Sequence, residues 1–161
     1  MGYNVYGSGE LRIATKNLGA AWEAIVKLNR EAPDEIKLGG SFSGGKQVSS
    51  WFSWMPANLE ELENVSNAVQ RLGFDTAQDN EGLLIGRYEN KIGQEALFFA
   101  VLAPFIEDGE YEWTGEDSAF WKWIFQEGEM RVLQGYRGYH DGEVVTPNSL
   151  TGPRFMGKWW K

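Results

Sequence analysis

The chain has no cysteine and a single histidine in its 161 residues. The first absence excludes disulfide frameworks, thiolate zinc sites, iron–sulfur ligation and cysteine nucleophiles together. The second excludes a histidine-rich metal site. It also leaves a Ser/His/Asp arrangement dependent on His140, which lies in an aperiodic stretch where a solvated histidine is the ordinary reading. No stretch approaches the ~18 consecutive apolar residues of a helical membrane span. Met1–Ala14 has no basic segment followed by an apolar run, so no secretory signal is expected. A reducing cytoplasm is the expected compartment.

Basic residues are scarce in the middle of the chain. Residues 55–129 carry 16 acidic against 4 basic side chains, and the whole chain has a net charge of −8. Phosphate-backbone binding requires clustered Lys and Arg to displace counterions, so direct nucleic-acid binding is not expected. An acidic surface serves solubility, or it addresses a basic partner, including as a mimic of DNA.

What is present suits a folded domain: 42% hydrophobic and 24% charged residues, in a chain of ordinary domain length. Tyr3–Ala14 alternates like a strand, with Gly7-Ser8-Gly9 marking a bulge or bend. Leu18, Ala21, Trp22, Ile25 and Leu28 recur at helical spacing behind Asn17, and Pro33 ends the run. Gly39–Gly45 reads as a loop and Ser50–Met55 as a strand. Asn58-Leu59-Glu60-Glu61 reads as a capping box opening a second helix that closes at Gly73. Phe74–Gln78 and Leu83–Glu89 flank a hairpin turn, and Ala96–Ala103 forms a nearly all-apolar helix before Pro104. Glu110–Thr114, Ala119–Gln126 and Met130–Tyr136 predict an antiparallel meander. The expected fold is α+β, ferredoxin-like or a related sheet with its helices on one face. It comprises one domain over 1–137, with 138–161 an irregular C-terminal tail or docking arm.

Gly40-Ser41-Phe42-Ser43-Gly44-Gly45-Lys46 satisfies part of a phosphate-cradling loop, but Gln47 stands where a magnesium-binding hydroxyl is required and no helix is expected to follow. The carboxylate pairs Glu107-Asp108 and Glu116-Asp117 adjoin glycines and read as turn residues. No catalytic residue, metal ligand or cofactor motif assembles. Aromatic residues stand out, with eight tryptophans, several closely paired. Core packing accounts for most of them. The alternative is a platform for a partner or planar ligand, for which Trp51, Trp54, Trp121, Trp123, Trp159 and Trp160 are the candidates. Glu110 and Glu112 fall on the solvent side of their strand and join this partner-binding set. Lys158-Trp159-Trp160-Lys161 suggests docking, on this chain or on a second copy, so a homo-oligomer through the tail is one expectation. For a nucleotide ligand, Lys46, Arg87 and Arg131 are the available phosphate-binding cations.

Three segments carry a family resemblance: Trp51-Phe52-Ser53-Trp54-Met55-Pro56; Ala103-Pro104-Phe105-Ile106-Glu107-Asp108-Gly109-Glu110-Tyr111; and Gly115-Glu116-Asp117 with Phe120-Trp121-Lys122-Trp123-Ile124-Phe125. Across Tyr3–Tyr136 the chain resembles a group of small, mostly uncharacterised proteins of tailed bacteriophages and prophages. The resemblance implies a biological setting, the host bacterial cytoplasm, and transfers no catalytic residue. The expected function is a non-enzymatic accessory protein that binds and blocks a host protein, plausibly a component of anti-phage defence. Alternatives are a small-ligand protein that sequesters or cleaves a nucleotide signal, and a virion structural protein.

Overall fold

The alternating residues at the start of the chain form two short strands that act as one. In the computed structural model, which describes residues 2–138, β1 (Asn4–Gly9) and β2 (Leu11–Ala14) lie end to end along β6 (Gly82–Lys91). Gly7 faces Tyr88 and Leu11 faces Ile85, so Ser8, Gly9 and Glu10 together oppose Gly86 and Arg87. This is the bulge expected from the glycines. A side chain at Gly7 has no room, because a Cβ there would fall 2.5 Å from a ring carbon of Tyr111.

The remaining strands of the main sheet are β5 (Phe74–Gln78), β7 (Gly109–Gly115), β8 (Phe120–Gln126) and β9 (Glu129–Gln134). Spatial order is β5, β6, β1 with β2, β7, β8, β9, and every pairing is antiparallel. The sequence-expected hairpin and meander are therefore present. The described residues form a mixed α+β structure on an open antiparallel sheet, and no described helix is long and apolar enough to cross a membrane.

Three helices cover one face. α1 (Leu18–Glu31) buries Ala21 and Ile25 and ends where Ala32, held extended ahead of Pro33, returns its N–H to the Leu28 carbonyl. α3 (Glu95–Leu102) buries Phe98, Phe99 and Leu102, and Pro104 lies in the short 3-10 turn that follows. The second helix departs from expectation. Asn58 caps only a 3-10 turn over Leu59–Leu62, and Glu63 then adopts φ +70°. The α-helix, α2 (Val65–Leu72), starts afresh at Asn64, whose Oδ1 accepts from the Asn67 N–H at 2.8 Å. Replacing Asn64 by alanine is expected to cost about 1 kcal/mol, measurable by urea unfolding.

Gly39–Gly45 is not a loop, nor is Ser50–Met55 a strand. β3 (Gly39–Ser43) and β4 (Lys46–Ser50) form a separate hairpin, while residues 51–55 run through turns. Gly44 and Gly45 take φ +58° and +79°, the paired left-handed conformation that a tight two-residue hairpin turn demands. The glycines that imitate a phosphate loop are spent on this turn.

The core lies between helices and sheet. Tyr88, Tyr111, Trp113, Trp123 and Phe125 project from three strands beneath Phe98 and Phe99. Trp123 sits 4.6 Å from Trp113 and 5.1 Å from Phe99, ring centre to ring centre. One acidic side chain is fully buried here. Glu95 Oε2 accepts from the Gly93 N–H at 2.6 Å, and Oε1 lies 2.7 Å from the Tyr88 hydroxyl, itself 2.7 Å from the Lys91 carbonyl. One phenolic proton cannot serve two acceptors. The set closes when Glu95 carries a proton, donates to Tyr88, and Tyr88 donates to Lys91. Burial, the dominant cause, raises the Glu95 pKa in the same sense.

Candidate functional site: the open face of the β7–β9 ladder

Because strand residues alternate between faces, the strands that bury Tyr111, Trp113, Trp123 and Phe125 must present Glu110, Glu112, Thr114, Phe120, Lys122 and Ile124 on the other side. Register places Glu110 opposite Ile124, Glu112 opposite Lys122 and Thr114 opposite Phe120. On the far side of β8, Leu133 faces Lys122. These side chains line an open groove of about 730 Å³ whose described rim also includes Gly135 and Arg137.

The groove has an apolar floor and a charged rim. Ile124 and Phe120 are half-buried, while Leu133 on the edge strand keeps 48% of its surface exposed. Lys122 Nζ donates to Glu110 Oε2 at 2.7 Å and lies 3.2 Å from Glu112 Oε1. Those two carboxylates, Glu110 foremost, hold the Lys122 ammonium above its ordinary pKa, so it stays charged at any physiological pH. One cation thus serves two anions. At the other end, the Arg137 guanidinium lies 5.6 Å from the Phe120 ring centre.

No protein-family model, curated protein or solved structure matches this chain. The chemistry of the groove is accordingly read from its own residues.

Of the aromatic candidates, the structure removes Trp51 and Trp123 from the surface. Trp51 is buried with its indole N–H donated to Asn29 Oδ1 at 3.0 Å, and Trp123 is at the centre of the core. Both are packing residues because their neighbours on α3 close over them. Trp121 is half-buried, stacked nearly parallel on Trp113 on the helix-covered side. Trp54 alone of the four is exposed, at 39%, with its indole N–H on the Arg71 carbonyl. Trp159 and Trp160 lie outside the described residues.

The three phosphate-binding candidates do not converge. Lys46 sits at the turn of the separate β3–β4 hairpin, Arg87 on β6 and Arg131 on β9. β6 and β9 are four strand spacings apart, roughly 19 Å. Arg87 is moreover paired with Glu89. The structure therefore does not bring Lys46, Arg87 and Arg131 together at one place. Among the described residues no group of three acidic or histidine side chains is placed to hold a metal ion.

Sequence reasoning did select Glu110 and Glu112 and placed them on the solvent face, as found. It did not single out Leu133, Thr114 or Arg137. The signal for the Glu112–Lys122 pairing is in the turn: a hairpin closing over Gly115–Ala119 brings residue 112 opposite 122.

Proposed function

We propose that this chain is a non-enzymatic binding protein whose partner docks across the open face of β7, β8 and β9. The observation that carries this reading is the groove itself: an apolar floor flanked by regular strands, with two carboxylates sharing one lysine along its rim. Interface centres combine apolar anchors with a polar rim in this way. The strands hold the side chains rigidly, which lowers the ordering cost of binding.

Within that reading, the bacteriophage resemblance supplies the setting. The protein acts as an accessory factor in the host bacterial cytoplasm and occupies a host protein of an anti-phage system. The acidic central segment favours a partner with a basic surface. The order β5, β6, β1, β7, linked by α1 and α3, supports a ferredoxin-like unit: its first strand lies between its third and fourth, with its second beside the third. β8 and β9 extend that unit on one side and create the groove.

The test is capture of host proteins from bacterial lysate by the full chain and by a Glu110→Lys/Glu112→Lys variant. The variant is expected to lose its partner about tenfold or more, and association of the parent chain to slow as salt rises. Its stability is expected to fall by about 1 kcal/mol, because the reversal sets two lysines beside Lys122, and urea unfolding checks that it remains folded. Capture insensitive to the reversal and to salt refutes the reading.

A further inference from the structure

We propose that residues 154–161 of this same chain occupy the β7–β9 groove, and that a partner must displace them. The inference rests on the groove being the partner's docking site as well. Three observations point to this occupant.

The first is position. The described chain runs out at Gly138, and the last residues before it are already part of the groove: Gly135 donates its N–H to the Phe120 carbonyl at 2.9 Å and Arg137 lies on the Phe120 ring. Residues 139–153 are fifteen in number, enough to reach on the order of 50 Å when extended. Three strands span only about 10 Å. Reach is no obstacle, and tethering gives such a segment an effective concentration near the millimolar range, which a free competitor must exceed.

Charge is the second. Arg154, Lys158 and Lys161 carry three positive charges with no acidic residue between them. Within the groove lining, Glu110 and Glu112 share Lys122, while Arg137 is at the opposite, Thr114 end of the ladder. Arg131 shares the face but not the lining. Glu110 and Glu112 outnumber the one cation that contacts them, so the stretch of rim between Arg131 and Arg137 retains a negative charge for an incoming cation.

Third is the match of apolar groups. Phe155, Met156, Trp159 and Trp160 alternate with those cations. Ile124, Phe120 and the exposed Leu133 provide an apolar floor, and the carboxylates provide acceptors that indole N–H groups require.

A photo-crosslinking amino acid, p-benzoylphenylalanine, placed at Leu133 in the full chain tests the docking. The same group at Ala77, on the exposed edge strand β5 at the other side of the sheet, is the control. An equal mixture of light and heavy isotope-labelled chains separates crosslinks within a chain from those between chains. Crosslinks from 133 to peptides of 154–161, within one chain, are expected to exceed those from 77 about tenfold. Trp159→Ala/Trp160→Ala and, separately, Glu110→Lys/Glu112→Lys should each abolish most of that excess. Equal yields at the two positions overturn the docking, and mixed-isotope products assign the groove to a second copy and overturn it equally. Competition is read separately: host-protein capture by Trp159→Ala/Trp160→Ala should rise about threefold or more. Unchanged capture overturns the competition. Intrachain crosslinks together with capture insensitive to Glu110→Lys/Glu112→Lys defeat the partner reading while leaving the docked segment in place.

Discussion

Trp123→Ala is expected to cost about 3–5 kcal/mol, the largest effect of any single substitution proposed for this chain. Trp123 is 1% exposed and contacts the rings of Phe99, Tyr111 and Trp113. Removing it deletes a large apolar surface and leaves a void that β-strand neighbours on both sides cannot close. Domains of this kind have about 5–15 kcal/mol in total, so the variant is expected to be partly unfolded near physiological temperature. Trp54→Ala serves as comparison: a partly exposed ring with one hydrogen bond to the Arg71 carbonyl should cost about 1 kcal/mol. Urea midpoints of the two variants check both values. Similar midpoints would refute the assignment of Trp123 to the core.

Glu95 gives the second large effect, through pH. Its pKa is raised in the folded state above the ordinary carboxyl value of about 4.3. For an acid raised in this direction the contribution to stability is complete below the unfolded value and is lost as pH climbs through the folded one. Stability is therefore expected to decline from mildly acidic toward neutral pH on account of this group. Glu95→Gln should remove that dependence and be the more stable protein at pH 8. A glutamine reproduces the pattern: its amide N–H donates to Tyr88, its carbonyl accepts from Gly93, and Tyr88 still donates to Lys91. Glu95→Ala instead leaves the Gly93 N–H without its partner and should cost about 1–3 kcal/mol near pH 4, a difference that narrows toward pH 8 as the parent itself weakens. Unfolding free energies of the three proteins across pH 4–8 decide it, and a glutamine variant with the parent's pH slope would assign the decline elsewhere.

The elements that were legible in the sequence are those whose signal is local. α1 was readable because its five apolar residues recur at helical spacing up to Pro33, and the β7–β9 meander because short turns separate its alternating strands. Asn58 misled because a capping box describes how a turn begins, whereas Glu63 and Asn64 decide whether it continues as an α-helix. Trp51 and Trp54 show the limit for side chains. They are three residues apart in the same turn-rich segment, yet one is sealed by Phe98 and the other lies against the end of α2. Only long-range packing, by Phe98 of α3 and Asn29 of α1, separates them. For the groove, alternation was sufficient to expose Glu110 and Glu112, but Leu133 became part of it only through the pairing of β9 with β8.

β1 is made long before its partners. β1 is paired with β6 over residues 88–91 and with β7 over 111–115, so about a hundred residues must be added before both its edges are satisfied. At roughly 5–20 residues per second, that interval is on the order of 5–20 s. During it Asn4–Gly9 is a bare β-segment in a crowded cell, the situation in which strands find the wrong neighbours. Gly7 and Gly9 answer two demands at once: they admit the Tyr111 ring in the finished fold, and they weaken the segment's tendency to pair beforehand. Bulkier residues there would fail on both counts, and insoluble nascent chains would be the first symptom.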